Sequence, residues 1–117
     1  MRTYMKAVRG ATVSTGNTEN EILDATKELL EKILEVNNIE STKIVSVIFT
    51  STSDVTACFP GKAVRKMGFT DISVIDTLAP YIKDDIPLCI RLLLYVNTDT
   101  KLNHLYLREA KKLRPDR

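Results

Sequence analysis

The chain has 117 residues, 44% of them hydrophobic and 27% charged, which is typical of a single folded domain spanning residues 1–117. The net charge of +2 argues against nucleic-acid binding driven by a basic surface. The longest apolar runs, VSVIF and LLLYV, are too short to cross a membrane, and no signal peptide is expected. Two cysteines, Cys58 and Cys89, are too few for a disulfide framework and favour a reducing, cytoplasmic location.

The first predicted element is a strand in TYMKAV that ends at RGAT, where Gly10 would allow a tight turn. A long amphipathic helix follows in GNTENEILDATKELLEKILEVNN. The capping-box pair Thr18 and Glu21 indicates its start, and Asn37 and Asn38 indicate its end. Apolar residues recur along it at helical spacing: Ile22, Leu29, Ile33 and Val36.

Five shorter elements complete the prediction. The run KIVSVIFTST is continuous in apolar and β-branched residues and predicts a buried strand. In FPGKAVRKMG, Pro60 would occupy the first position of a short helix that Gly68 ends. DISVID and LCIRLLLYVNTD predict two more strands, and HLYLREAKKLRPD predicts extended structure.

These elements predict an α+β fold, in which a mixed β-sheet of four to five strands carries one long amphipathic helix and a short helix. The strand LCIRLLLYV is apolar on both faces, because two sets of residues alternate along it: Ile90, Leu92, Leu94 and Val96 on one face, and Cys89, Leu93 and Tyr95 on the other. One long helix can cover only one face of such a sheet. The sequence therefore predicts that another subunit covers the second face.

Arg91 is the most informative candidate for a site residue. It is the one charged residue within CIRLLLYV, so its guanidinium is expected to be withdrawn from bulk water and to need an anionic partner. That partner is either a carboxylate of the same fold or a bound anion. The residue by itself leaves both interpretations open, because structural ion pairs resemble functional ones.

Other residues could line an anion site, although each also has an ordinary structural interpretation. Lys62 and Arg65 share a helix face near a helix N-terminus, but taken by themselves they more simply form a solvated basic surface. Arg9 is more simply an ordinary solvated arginine at a strand end, and Phe59 could pack as a helix staple. Tyr106 could satisfy its hydroxyl in the core or donate it to a carboxylate.

The chain lacks the residues of most catalytic machineries. Its single histidine, His104, and the lack of a Cys/His cluster predict that no metal is bound. No Gly-rich phosphate loop and no GxSxG motif is present, and no cofactor is expected. The arginines suit a reaction that binds a polyanion, holds its conformation and stabilises developing negative charge.

Five motifs resemble, in this order, the small monofunctional chorismate mutases of the trimeric, barrel-like type found in bacilli: VRGAT, TENEILDATKELLEKILEVN, FPGKAVR, CIRLLLYVNTD and HLYLREAKKLRPD. The resemblance covers nearly the whole chain. It implies a homotrimeric pseudo-barrel with active sites at the subunit interfaces. The implied reaction is the rearrangement of chorismate to prephenate in the shikimate-derived branch toward phenylalanine and tyrosine, which needs no cofactor, metal or general base.

The resemblance also implies roles for individual residues. Arg91 would contact the ether oxygen of the substrate, where negative charge grows as the C–O bond breaks. Arg9 would pair with a substrate carboxylate, and Tyr106 would donate a hydrogen bond to one. The remaining residues carried over line, floor or cover the pocket: Phe59, Lys62, Arg65, the floor residues Ile75, Thr77, Leu78 and Ala79, and Arg114.

The pocket floor departs from the family pattern. Family members commonly carry a cysteine here and a glutamate three residues later, but the second position falls on Ala79 or Pro80, depending on the alignment register. Asp76 is the one carboxylate of the floor. We therefore hypothesise that Asp76 takes over the role of the glutamate and accepts the ring hydroxyl of the substrate. Alternatively, Asp76 caps a turn and the site is weaker.

The sequence is also compatible with two other functions. Trimeric proteins of the imine-deaminase type have a similar fold with interface pockets, and they also place an arginine on a carboxylate. A non-catalytic relative could retain the pocket and bind an anionic ligand without turnover.

Overall fold

A computed structural model describes residues 4–113, which form a five-stranded mixed sheet. The elements in chain order are β1 (Met5–Val13), α1 (Glu19–Val36), β2 (Ile44–Ser51), α2 (Lys62–Lys66), β3 (Ser73–Leu78), β4 (Cys89–Asn97) and β5 (Leu105–Tyr106), with 3₁₀ helices at Ser41–Lys43 and Arg108–Leu113. The strand order is β3-β2-β4-β1-β5, with β1–β4 and β2–β4 antiparallel and β2–β3 and β1–β5 parallel. The predicted α+β class and mixed sheet are confirmed.

The long helix α1 begins and ends where the sequence predicts. Thr18 is its N-cap and accepts the Glu21 N–H at 3.2 Å, and Asn37 is its C-cap. Its inner side is fully buried against the sheet through Ile22, Ala25, Leu29, Leu30 and Ile33. Val36, the last predicted core position, is exposed instead. Within residues 4–113, neither helix is long and apolar enough to span a membrane.

Strand β1 is longer than predicted, because Gly10 does not turn the chain. Gly10 lies inside the strand, opposite Leu92 of β4. A Cβ atom at this position would lie 2.5 Å from Ile33 Cδ1 and 3.2 Å from Leu29 Cδ1. The glycine therefore permits the close approach of α1 to the sheet rather than a turn.

Helix α2 begins two residues later than predicted. The carbonyl of Pro60 accepts the Ala63 N–H at 3.0 Å, so Pro60 belongs to a tight turn that precedes the helix. Regular helix starts at Lys62. Gly68, with a φ of 87°, ends the helix in the left-handed conformation, as predicted.

The segment after β5 is a 3₁₀ helix, and the prediction of extended structure there was wrong beyond Tyr106. Arg108 has a φ of 53°, which ends the strand. Its side chain donates to Glu28 Oε1 at 3.0 Å and to the Val13 carbonyl at 3.1 Å, so the segment is tied to both α1 and β1. Its buried residues, Ala110 and Leu113, are spaced by one 3₁₀ turn.

The two faces of the sheet have different environments. On the α1 face, the side chains of Ile90, Leu92, Leu94 and Val96 are buried, as predicted. On the opposite face, here called the open face, the C-terminal 3₁₀ helix packs only against the end near Ala11 and Cys89. Arg91, Leu93 and Tyr95 remain half buried there. This exposure is what the predicted oligomer would cover, and the oligomer stays a prediction.

Phe49 of β2 is 0% exposed and lies at the centre of the core. We expect Phe49→Ala to lower the free energy of unfolding by about 3–5 kcal/mol, because it leaves a cavity in a packed interior. Chemical denaturation at a fixed protein concentration measures the change. Val45→Ala on the same strand, where the side chain is 44% exposed, is the matched control. Equal losses in the two variants would contradict this description of the core.

Candidate active site

The open face carries a cavity of about 370 Å³, here called the sheet-face cavity. Arg9, Arg91, Tyr106 and Thr50 supply its polar groups. The strand register explains why they meet: Arg91 pairs with Thr50 on one side and with Ala11 on the other, and Ala11 pairs with Tyr106. Residues in register across a sheet project from the same face. Four strands therefore bring these four polar groups together, and three of them, Arg9, Arg91 and Tyr106, were predicted for the site.

Arg91 is half buried, and no carboxylate among residues 4–113 lies within ion-pair distance of its guanidinium. The same is true of Arg9 within the described residues. Ile48, Leu92 and Leu93 supply apolar walls to the cavity. Cations beside apolar walls attract an anion more strongly than cations in bulk water do. The sheet-face cavity is therefore suited to an anionic ligand.

A second cavity, of about 580 Å³, lies where α2 meets the ends of β2 and β3, and is here called the α2 cavity. The predicted residues in its lining are Phe59, Lys62, Arg65, Asp76, Thr77 and Leu78. Phe59 is 72% exposed, so its ring is not packed as a helix staple. Its exposure leaves an apolar surface beside Lys62 and Arg65, the two cations of α2 that line the cavity.

Glu19 is a residue of the α2 cavity that the sequence did not indicate. Its carboxylate forms an ion pair with Lys62, and the hydrogen bond and charge of Lys62 lower the pKa of Glu19. Both side chains are more than a third exposed, so the pair adds little to stability. It does offset part of the positive potential that Lys62 was predicted to supply, and among the described residues Arg65 is the cation in the lining of this cavity that forms no ion pair.

Asp76 fastens β3 to the start of α2. Its Oδ1 accepts the N–H of Gly61, the N-cap of α2, at 2.8 Å, and a Cβ atom at Gly61 would run into the Asp76 carboxylate. Burial raises the pKa of Asp76, while the Gly61 hydrogen bond and the charge of Arg65 partly oppose the rise. The hydrogen bond matches the turn-capping interpretation. The predicted contact with a substrate hydroxyl stays a prediction.

The raised pKa of Asp76 has a measurable consequence for stability. A carboxyl whose pKa is raised by folding stabilises the protein at low pH and loses that contribution as pH rises through the raised value. We therefore expect the stability of the wild type, relative to Asp76→Asn, to fall as pH rises from the ordinary value of 3.8 and then to level off. Chemical denaturation at a series of pH values measures this difference, with the exposed Asp84→Asn as the matched control. A difference that does not change with pH would contradict it.

The other predicted floor and cover residues lie elsewhere. Ile75 is exposed on β3, in register with Ile48. Ala79 is buried just after β3 and donates its N–H to the Ser51 carbonyl at 2.9 Å. Both stand outside the linings of the two cavities. Arg114 lies outside the described residues.

The predicted site residues thus form two separate groups within one copy of the chain. Arg91 pairs in register with Thr50, whereas Asp76 pairs with the buried Phe49 on the adjacent position of β2. Neighbouring residues of a strand project from opposite faces, so Arg91 and Asp76 point away from each other across the sheet. The two cavities share no lining residue.

The α+β fold and the cations that line its two cavities define a class of small proteins suited to anionic ligands. Comparison with known proteins identifies the family within that class. Residues 5–117 match the family model of chorismate mutase type I. The chain is 40% identical over 116 residues to chorismate mutase AroH of Thermus thermophilus, covering 96% of this chain and 95% of that protein. It is 37% identical over 116 residues to chorismate mutase AroH of Bacillus subtilis strain 168, covering 96% and 91%.

A solved structure shows the same fold. It is the chorismate mutase from Clostridium thermocellum Cth-682, which superposes with a TM-score of 0.89 at 38% identity and covers 92% of this chain and 98% of that one. The chain belongs to the chorismate mutase type I family.

Proposed function

We propose that this protein is an isomerase that converts chorismate to prephenate, at a site shared by neighbouring subunits of a homotrimer. The observation that carries the proposal is the environment of Arg91. This cation is half buried within the apolar strand β4, and it has no carboxylate partner among residues 4–113. Family membership supports the reaction, and the environment of Arg91 supports the sheet-face cavity as its site.

The chemistry of the rearrangement suits a site built from fixed cations. Chorismate carries two carboxylates and an enol ether, and its ether C–O bond breaks while a C–C bond forms within the same molecule. No proton, electron or group is exchanged with the protein. Negative charge develops on the ether oxygen in the transition state, and a preorganised guanidinium there stabilises it without reorganisation. Arg91 takes this role, and the walls of the cavity hold the substrate in its reactive conformation.

Arg9 and Tyr106 hold a substrate carboxylate beside Arg91. Both line the sheet-face cavity, and Tyr106 lies two strands from Arg91 in the same register. An arginine can form two parallel hydrogen bonds with a carboxylate, which fixes the orientation of the ligand as well as its position. A volume of about 370 Å³ is within the range of small-molecule sites. Thr50, between β3 and β4, adds a hydroxyl to the same wall.

The α2 cavity completes the site of a neighbouring subunit. Within one copy, Phe59, Lys62 and Arg65 line a different cavity from Arg91, and the open face lacks a full cover among the described residues. A cyclic trimer brings the same two surfaces together three times. The exposed ring of Phe59 would then gain apolar cover, and the cations of α2 would meet the second carboxylate.

Asp76 accepts the ring hydroxyl of the substrate in this site. Its position in the α2 cavity beside Arg65 supports that role. Gly61 occupies Oδ1, so the hydroxyl would be bound by Oδ2. The roles proposed for the remaining floor residues and for Arg114 rest on the family resemblance.

Cys58 and Cys89 form no disulfide in the described part of the chain, which supports a cytoplasmic location.

The test is the loss of chorismate's diene absorbance with purified protein, together with identification of prephenate as the product. Turnover, with light scattering that gives three chains per particle, would support the proposal. Binding of a bicyclic transition-state analogue without turnover would support a non-catalytic anion-binding protein instead. Turnover of small imino acids but not of chorismate would support an enzyme of the imine-deaminase type.

A further inference from the structure

The imidazole of His104 accepts a hydrogen bond from the backbone N–H of Arg9, with 2.9 Å between Arg9 N and His104 Nδ1. The two residues are 95 positions apart in the chain. Arg9 is one of the two arginines of the sheet-face cavity. A group that fixes the backbone of Arg9 therefore acts on the site that the arginine lines.

This contact takes the place of a backbone hydrogen bond that is missing between β1 and β5. Strand β5 pairs with β1 only through Leu105 and Tyr106. Continued by two residues, the parallel register would bring the Asn103 carbonyl to the Arg9 N–H. That bond does not form, and the Arg9 N–H would lack a protein acceptor on this side without the imidazole.

The end of α1 explains why the backbone hydrogen bond from Arg9 to Asn103 is missing. Asn37, the C-cap of α1, donates its Nδ2 to the Asn103 carbonyl at 3.1 Å and accepts the Asn103 N–H on Oδ1 at 2.6 Å. One side chain thus engages both backbone groups of Asn103. The next residue, His104, then offers a side-chain acceptor to β1 in place of the carbonyl.

We propose that His104 is a positioning residue of the active site, which holds the edge of β1 so that the Arg9 side chain is presented to a substrate carboxylate. The inference rests on the proposed function, because that function gives Arg9 its ligand. Acceptance at Nδ1 places the proton of the neutral ring on Nε2. In this role His104 accepts a hydrogen bond from the backbone and transfers no proton to the substrate.

Two substitutions separate the acceptor from the bulk of the ring. In His104→Asn, Oδ1 is bonded to Cγ, as Nδ1 is in histidine, so an acceptor stays close to the Arg9 N–H. His104→Leu retains bulk and removes the acceptor. Lys101→Ala, at an exposed position of the same loop, is the matched control.

We expect His104→Leu to raise KM for chorismate about three- to tenfold, which is the loss of one ordinary hydrogen bond. The value of kcat should change little, because the Arg9–carboxylate contact is present in both the bound substrate and the transition state. His104→Asn and Lys101→Ala should keep KM within about twofold of the wild type. An unchanged KM in His104→Leu, or equal impairment in His104→Asn, would overturn the inference.

Nuclear magnetic resonance tests the contact without turnover. In nitrogen-15-labelled wild type we expect a scalar coupling between Arg9 N and His104 Nδ1, transmitted across the hydrogen bond. We also expect faster hydrogen exchange of the Arg9 amide in His104→Leu than in His104→Asn. Failure of the wild type to convert chorismate would reject the proposed function but leave this test intact. No coupling in the wild type, together with equal exchange in the variants, would reject the role of His104 even if His104→Leu were poorly folded.

Discussion

Arg91→Ala is expected to lower kcat by at least about 10²-fold, because loss of one donor to a developing oxyanion costs roughly 2.7–4 kcal/mol of transition-state stabilisation. Arg91 lies on β4 between Ala11 and Thr50 of the flanking strands, so no other described cation can take its position. Steady-state assays of chorismate loss measure the effect. Lys111→Ala removes a cation at an exposed position and serves as the charge-matched control.

Arg91→Lys separates charge from shape. A lysine retains the positive charge but presents a single ammonium group rather than a planar fork, so we expect a large loss of kcat here too. Circular dichroism should show that both variants retain the wild-type fold. Near-normal turnover in both variants would show that the catalytic cation lies elsewhere.

A mixture of two impaired variants is expected to recover activity if the site is shared between subunits. Arg91→Ala damages the sheet-face cavity, and Arg65→Ala damages the α2 cavity. After equal amounts are unfolded together and refolded, about one site in four should combine an intact sheet-face cavity with an intact α2 cavity from its neighbour. The assay is the rate of chorismate loss compared with the two variants refolded separately.

The matched control mixes Arg91→Ala with Arg9→Ala. Both changes lie in the sheet-face cavity of one subunit, so every site in the mixed trimers keeps one defect and no recovery is expected. Recovery in this control would mean that the two arginines act from different subunits. If neither mixture recovers activity, the α2 cavity does not complete a neighbour's site.

The parts of the fold that depend on short-range chemistry could be predicted from the sequence. The start of α1 follows from Thr18 and Glu21, three residues apart, and the end of α2 follows from the freedom of Gly68 to adopt positive φ. The role of Gly10 depends on Ile33 of the helix packed above it, which no local pattern reveals. The turn at Arg108 likewise depends on a distant partner, Glu28.

The candidate site likewise contains one residue that a local pattern predicts and others that depend on distant parts of the chain. A single arginine within an apolar strand pointed to Arg91, because a cation in that position needs a partner wherever the strand lies. Glu19 and His104 gave no such signal, since their partners lie 43 and 95 residues away. The separation of Arg91 from Asp76 also follows from the pairing of β2 with β3 and β4, which only the folded chain establishes.

The position of β3 at one edge of the sheet affects the risk of aggregation while the protein folds. Its outer side presents backbone donors and acceptors without a strand partner among the described residues, and Ile75 and Leu78 are exposed beside them. Such an edge is a template for pairing with another copy in the wrong register. We therefore expect correct folding to compete with aggregation through this edge, so that the yield of native protein falls as the concentration of newly synthesised chains rises.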